Sequence, residues 1–537
     1  MKGTERFTRI YETIKGRALL EDELWWLLES TAKAPHLLQR EKIMGMVEQL
    51  ILDKKIVRKQ GVERVCQHIT DGERSKLSFL FSLLGGHQKQ ASVYQCSRCG
   101  AADSDIAEVF CHRCGGLCRY CRRCLSMGRS TSCTSFYLIP YEGPSDCIEI
   151  ERTDAGEDIV PDPFDSLNQF ANLTTAQLNA ARQALAFLYR REHIQADEFL
   201  IWAVCGAGKT EVMFPILHAA LRQGQRVLWA TPRRDVVLEL APRLAAAFPE
   251  VPIGVLHGKS PEKWSPAALI LATTHQALRF FRSFDVVIVD EVDAYPYTAD
   301  DLLPFAVKRA RKLPGKTIYL TATPRREHQQ RMRVKEESSK RLPHVKIPVR
   351  YHGHPLPVPV IRLESKLNKC LKNGIPSLAM RRFLDKLKTE GAPGFIFVPA
   401  VHELDLLKRY ILNIDSYWAD HIETAHASDP GREEKVMAMR RGERQLLLTT
   451  TIMERGVTLP NISVLVCRAD AAVFDEAALV QIAGRAGRSK DYPKGDVIFL
   501  AAERSVAMKA AIRQITDMNR LAAREGYFQS QADEQRG

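Results

Sequence analysis

No stretch of this 537-residue chain approaches the roughly 20 consecutive apolar residues with which a helix crosses a bilayer. The opening segment, MKGTERFTRIYETIKGR, lacks the apolar core of a secretory signal. Both absences predict a cytosolic protein, at most peripheral on the inner face of the cell membrane through a partner. No repeat recurs at solenoid periods, which sets aside stacked-repeat architectures. Nor is there an excess of acid: 77 Lys and Arg stand against 64 Asp and Glu, a net charge of +13. A basic balance favours a polyanionic partner, because each Lys or Arg set against a phosphate releases a counterion. A solvated basic surface gives the same count, so charge alone leaves the matter open.

What is present is more specific. Seven of the 13 cysteines fall between Cys96 and Cys124 in C-x-x-C pairs. A reducing compartment keeps such pairs as thiols, so metal binding is the expected use. Cys96 with Cys99 and Cys111 with Cys114 form two knuckle-like turns whose four thiolates satisfy tetrahedral zinc in a closed, structural site. Cys118, Cys121 and Cys124 continue the ladder; Cys121 and Cys124 either replace the second pair or join a second zinc. Arg98, Arg113, Arg119, Arg122, Arg123 and Arg129 are interleaved here beside Tyr120. They suit phosphate contact and base stacking on a single strand, or simply an arginine-rich surface. Cys66, Cys147, Cys205, Cys370 and Cys467 are expected to be buried, inert thiols.

The chain divides by character. Residues 1–90 read as mostly helical, 91–140 as the cysteine module and 141–164 as a polar, acidic linker. Beyond it, aliphatic runs alternate with amphipathic helices: EFLIWAV, RVLWAT, ALILATT, FDVVIVDE and KTIYLTAT, then GFIFVPA, QLLLTTT, ISVLVCR and GDVIFLAA. Strands separated by helices predict parallel sheets covered on both faces. The expected fold class is therefore α/β, with two tandem doubly wound lobes over 165–335 and 336–537, a helical N-terminal region and a small zinc module.

EFLIWAV runs into Cys205-Gly206-Ala207-Gly208-Lys209-Thr210 and then a helix. Such a turn wraps backbone N–H groups around phosphates at a helix N-terminus. Lys209 is placed to reach the outer phosphates of ATP and Thr210 to ligate Mg2+. The full phosphate-loop pattern opens on Gly; Ala203 stands there instead. FDVVIVDEVDAYP ends a buried strand in Asp290, expected to hold magnesium, and Glu291, expected to orient or deprotonate the attacking water. Far downstream, Gln481-Ile482-Ala483-Gly484-Arg485-Ala486-Gly487-Arg488 places Arg485 and Arg488 on one face if helical, where guanidinium groups neutralise a transferring phosphoryl group.

In this order the pieces resemble the superfamily-2 helicase and translocase core over about residues 165–510, which implies RecA-like lobes. By that resemblance Gln177, in LTTAQ, reads adenine, and Gly456 and Gln481 join the ATP ligands. Thr231 and Arg233, Thr274, and Thr450 hold the nucleic-acid backbone, and Thr321 and Thr323 couple ATP state to strand grip. Ile482 stands where RNA helicases of the DEAD and DEAH groups carry arginine, and Thr458 replaces the Asp of Gly-Ile-Asp. QIAGRAGR and MERGVTLP look more like bacterial DNA motors of the PriA type. The module YQCSRCG…CHRCGGLCRYCRRCLSMGR, ahead of the first lobe, is similar to that of the ComFA competence ATPases. This resemblance implies an ATP-driven single-stranded DNA motor of transformation, a ComFC-like phosphoribosyltransferase-like partner and a membrane uptake channel. A PriA-like unwinding helicase and a zinc-bearing adaptor that uses nucleotide as a switch are the alternatives.

Overall fold

The aliphatic runs are strands in a computed structural model that describes residues 2–31, 40–66, 92–143, 162–189, 196–335, 340–426, 429–450 and 459–529. Seven strands follow the order Ile253–Leu256, Leu269–Thr273, Val227–Thr231, Phe284–Asp290, Arg311–Thr321, Glu198–Ala203, His344–Ile347. The first four pair in parallel, as do the last two. A second sheet has the order Val360–Leu363, Val497–Ala501, Ser463–Cys467, Gly394–Phe397, Leu446–Thr449, Ile422–Ala425, parallel throughout. From Gly394–Phe397 the chain crosses to the edge strand Ile422–Ala425, returns to Leu446–Thr449, and then passes to Ser463–Cys467 and Val497–Ala501 on the other side, a doubly wound sheet as expected. Val227–Thr231, Leu269–Thr273, Gly394–Phe397 and Ser463–Cys467 are buried at every position. Strands covered on both faces show no polar alternation and need helical crossovers, which is why they read as unbroken aliphatic runs.

The chain forms two compact units, one of residues 1–161, 220–290 and 294–317, the other of 162–219, 291–293 and 318–537. Two expected boundaries do not separate structural elements. Helices Lys2–Ile14, Glu21–Thr31 and Arg40–Leu52 are present as read. However, Ala18–Leu20 and Val57–Gln60 flank Ser135–Leu138 in an antiparallel sheet, and Val62–Cys66 pairs with Ser92–Cys96. The N-terminal region and the cysteine module therefore interleave across residue 90 and share a core that includes Leu24, Val47, Leu50, Tyr137 and Trp264. Strands of three to five residues carry too few alternations to be legible beforehand. Likewise the basic stretch after residue 335 contains His344–Ile347, which pairs with the first lobe's Leu200–Ala203. Of the linker, 144–161 lie outside the described residues; at its end Asp162 accepts from Phe164 N at 2.9 Å and starts a short 3-10 turn.

Candidate nucleotide site and cysteine centres

Strand Glu198–Ala203 delivers the chain into a tight turn and helix Lys209–Arg222. Ala207 N donates to Val204 O at 3.1 Å, and Gly206 (φ 82°) and Gly208 (φ 74°) adopt left-handed backbone. A Cβ at Gly208 would lie 2.3 Å from Gln177 Nε2, so glycine is required there by space as well as by φ. Gln177 Nε2 donates to Ala207 O at 2.9 Å, and its Oε1 accepts from Thr174 N at 2.8 Å. One donor and one acceptor of the predicted adenine reader thus hold the phosphate loop to the start of helix Thr175–Tyr189; the remaining donor and lone pair are what an adenine could use. Lys209 and the buried Thr210 open the helix, where amide groups and the helix dipole favour an anion.

Strand Phe284–Asp290 ends in the buried Asp290. Glu291 follows at φ 54°, a conformation that costs a non-glycine residue about 1–3 kcal/mol and gathers at functional sites. Sequence reasoning assigned no role to Asp293, yet it accepts from Thr321 Oγ1 and Thr323 Oγ1, each at 2.6 Å, and from Gln481 Nε2 at 3.5 Å. Cys205, expected to be an inert thiol, donates to Gln481 Oε1 at 3.0 Å. A connected chain of polar contacts therefore runs from the phosphate loop through Gln481 and Asp293 to Thr321 and Thr323.

Helix Glu476–Ala483 stops before the arginines. Arg485 lies in the following turn, closed by Gly487 at φ 65°, and Arg488 just beyond it, so the shared face that a helix would have given them does not form. A Cβ at Gly484 would stand 2.4 Å from Cys205 Cβ, so glycine is required there by space. Arg485 is buried and Arg488 half-buried. The turn is pinned by Arg350, 1% exposed, whose Nη1 donates to Ala486 O at 2.7 Å and to Gly487 O and whose Nη2 donates to Gly484 O at 3.4 Å. Tyr351 N donates to Gly206 O at 3.1 Å, tying the same segment to the phosphate loop. Burial, and then the charge of Arg488, push the Arg350 guanidinium down to about 10; such crowding of positive charge suits an anionic ligand. Nothing in the sequence distinguishes Arg350 from its basic neighbours. An Arg350→Met variant, which leaves three carbonyls without their donor, is expected to lose roughly 1.5–3 kcal/mol of stability or more. Arg350→Lys should recover little of it, since a point charge does not span the three acceptors. Thermal unfolding of the two variants checks both statements.

Two of the residues expected to contact nucleic acid carry no surface in this structure. Thr231 and Thr274 are 0% exposed and their hydroxyls have no hydrogen-bond partner among the described residues. A hydroxyl without surface cannot touch a phosphate in this conformation; Thr231 ends its buried strand and Thr274 opens the buried 3-10 turn after Leu269–Thr273. Arg233 pairs with Asp235, Nε to Oδ1 at 3.2 Å. Thr450 is buried, and Gly456 lies outside the described residues together with the rest of 451–458.

Of the cysteine sets left open by the spacing, the structure brings together the one in which Cys121 and Cys124 stand in place of the second pair. Cys96, Cys99, Cys121 and Cys124, all buried, bring their sulfurs within 4.8 Å of one another, with Cys96–Cys124 at 3.7 Å and Cys99–Cys121 at 3.5 Å. Cys111 and Cys114 join Cys118 and Cys133 instead. The reason is the antiparallel hairpin Ile106–Cys111/Gly116–Cys121. Five residues of extended chain carry Cys111 roughly 17 Å from Ile106, opposite which Cys121 sits. The buried tetrathiolate fits a structural zinc by the chemistry of its donors. The interleaved arginines are largely engaged within the protein. Buried Arg98 pairs with Glu23 at 2.7 Å, Arg113 with Glu21 at 2.8 Å, Arg119 with Glu108, and Arg123 with Asp300. Arg309 also donates to Ser97 O at 3.2 Å and Leu278 O at 2.6 Å, which fastens the first knuckle to the segment carrying Thr274. Arg122 and Arg129 remain exposed, Arg129 lying 5.0 Å over the Tyr120 ring.

Residues 80–138 match the competence protein ComFA N-terminal domain, 171–326 the type III restriction enzyme res subunit, and 378–490 the helicase conserved C-terminal domain. Competence protein ComFA of Bacillus subtilis is 40% identical over 469 residues, 84% of this chain and 94% of its own. ComFA of Streptococcus pneumoniae is 33% identical over 454 residues, 84% of this chain and 96% of its own. The replication restart protein PriA of Haemophilus influenzae aligns at 28% over 161 residues, only 27% of this chain and 22% of its own. With that identity across nearly the whole length of its relatives, and with the cysteine module standing ahead of a pair of helicase lobes, the chain belongs to the ComFA family of competence proteins.

Proposed function

We propose that this helicase-like ATPase hydrolyses ATP in a DNA-dependent manner and moves single-stranded DNA during uptake in transformation. Lys209 binds the outer phosphates, Glu291 orients the attacking water and accepts its proton, and Arg485 and Arg488 neutralise charge on the phosphoryl group as its bond to the leaving diphosphate breaks. Thr210 and Asp290 are the oxygen donors that would hold magnesium; bound there, the ion would offset charge on the outer phosphates. The observation that carries the reading is the contact chain Cys205–Gln481–Asp293–Thr321/Thr323. It connects a phosphate-binding turn to the pair of threonines that would report nucleotide state to a bound strand. The family resemblance supports a ComFC-like partner and work beside a membrane channel; no described helix is long and apolar enough to cross a membrane.

ATP turnover titrated in parallel with single-stranded DNA, duplex DNA and RNA tests the proposal. Single-stranded DNA should stimulate most, and a rate indifferent to all three polymers would remove the motor reading. Asp293→Ala is expected to lower that stimulation by roughly 5–150-fold, the usual range for a coupling free energy, without changing nucleotide affinity. Full stimulation in this variant would show that the contact chain transmits nothing.

A further inference from the structure

We infer that Cys111, Cys114, Cys118 and Cys133 form a second, outer zinc site that clamps the far end of the cysteine hairpin to the segment following it. The four sulfurs lie within 4.8 Å of one another, and Cys111 Sγ is 3.7 Å from Cys133 Sγ. The two knuckles are built alike. In the buried centre Gly100 N donates to Cys96 O at 2.8 Å with Gly100 at φ 78°; at the outer one Gly115 N donates to Cys111 O at 2.9 Å with Gly115 at φ 68°. Each Cys-x-x-Cys-Gly turn thus presents two thiols on one side of a closed loop, the arrangement a tetrahedral metal takes from one half of its shell.

Strand geometry supplies the rest of both shells. Side chains along a strand alternate between its faces, so Cys118 and Cys121, three apart in Gly116–Cys121, project to opposite sides. One strand therefore gives one sulfur to each centre. Cys133 arrives by a turn held against the hairpin: Ser132 N donates to Arg119 O at 2.8 Å, and Arg119 N donates to Ser132 Oγ at 3.1 Å. Cys133 has no C-x-x-C partner, which is why it was not legible as a ligand in the sequence.

The hairpin has little else to hold it folded at its tip. Among the described residues it is a two-stranded sheet, tied at its base by the Tyr120–Thr131 bridge and at its tip by the exposed ion pair of Arg113 with Glu21, and Phe110 and Leu117 on it are 57% and 76% exposed. An isolated two-stranded hairpin is marginal in water, and small modules without a core are commonly closed by metal. Burial separates the two centres: the inner four sulfurs are all buried, whereas Cys114 is exposed and Cys111 and Cys133 are half-buried. The outer zinc is accordingly the exchangeable one. This inference is independent of the motor reading, since it concerns metal content and not turnover.

Elemental analysis of the full chain, purified without chelator, should find two zinc per polypeptide, falling to one in the Cys111→Ser/Cys114→Ser variant. On the unmodified protein, titration with a mercurial thiol reagent against a zinc indicator should release the metal in two equal steps. Cobalt(II) reconstitution should saturate the thiolate charge-transfer absorption at two equivalents, and Cys133→Ser should weaken the second equivalent alone. One zinc per wild-type chain, unchanged zinc in the Cys111→Ser/Cys114→Ser variant, or a disulfide among these four residues would each overturn the assignment. The wild-type titrations keep the test valid even if the variant fails to fold.

Discussion

Lys209→Ala is expected to reduce ATP turnover by roughly 10²–10³-fold, the loss typical of removing one preorganised group that stabilises transition-state charge, while binding of single-stranded DNA persists. Lys209 is the first residue of helix Lys209–Arg222. Its ammonium adds a full charge where the amides of a helix start already favour an anion. Truncation to Ala removes that charge but not the turn, whose shape is set by Gly206, Gly208 and the bond from Gln177 to Ala207 O. Substrate should still approach and turnover should fail. The check is steady-state ATPase with and without DNA alongside a DNA-binding isotherm. Turnover within about tenfold of the parent, a barrier change of only about 1.4 kcal/mol, would mean that the phosphate site has been misplaced.

The second large effect concerns the buried cysteine centre. Cys96→Ser with Cys99→Ser is expected to release its zinc and unravel the module, because metal binding in small zinc modules contributes apparent free energies of about 10–16 kcal/mol. The consequences extend beyond the ligands. Arg98, between the two cysteines, is fully buried against Glu23, and Glu23 also faces Arg279 at 3.4 Å. Losing the knuckle leaves a buried guanidinium and a half-buried carboxylate without their geometry, and removing one partner of a buried pair costs about 3–5 kcal/mol. Residues 198–219 and 476–488, which carry the phosphate-binding turn and the two arginines, belong to the other compact unit, so nucleotide should still bind them, although Asp290 shares the module's unit. Zinc analysis, limited proteolysis of residues 92–138 and a nucleotide-binding isotherm together decide this. Undiminished zinc in the variant would discard the ligand set.

Much of the nucleotide site was legible before any fold was known, because its parts are local. A phosphate loop is a glycine turn between a strand and a helix, and Cys205–Thr210 states it within six residues. Asp290 and Glu291 follow one buried strand directly. What could not be read was anything made by residues distant in sequence. Asp293 looked like one more acid in DEVD, yet its role comes from Thr321, Thr323 and Gln481 converging on it. Arg350 is invisible as a motif, because its partners are backbone carbonyls about 135 residues away, and carbonyls leave no mark in a sequence. Whether Arg485 and Arg488 share a helical face was likewise left open by their spacing, and the structure ends the helix before them, at Ala483.

The cysteine module divides in the same way. C-x-x-C spacing pointed to turns of a metal-binding kind, because two thiols three residues apart close a loop of the right size whatever surrounds them. Partition of eight sulfurs into two fours belongs to the hairpin, whose length carries the second knuckle away from the first and whose pleat sends Cys118 and Cys121 to opposite faces. By itself the sequence determined the parallel α/β lobes, the phosphate loop and the presence of thiolate turns, since each depends on neighbours along the chain. Tertiary structure alone decided which thiols meet, which threonines lose their surface, and that Asp293 and Arg350 hold the site together, since each of these rests on contacts that only folding brings within reach.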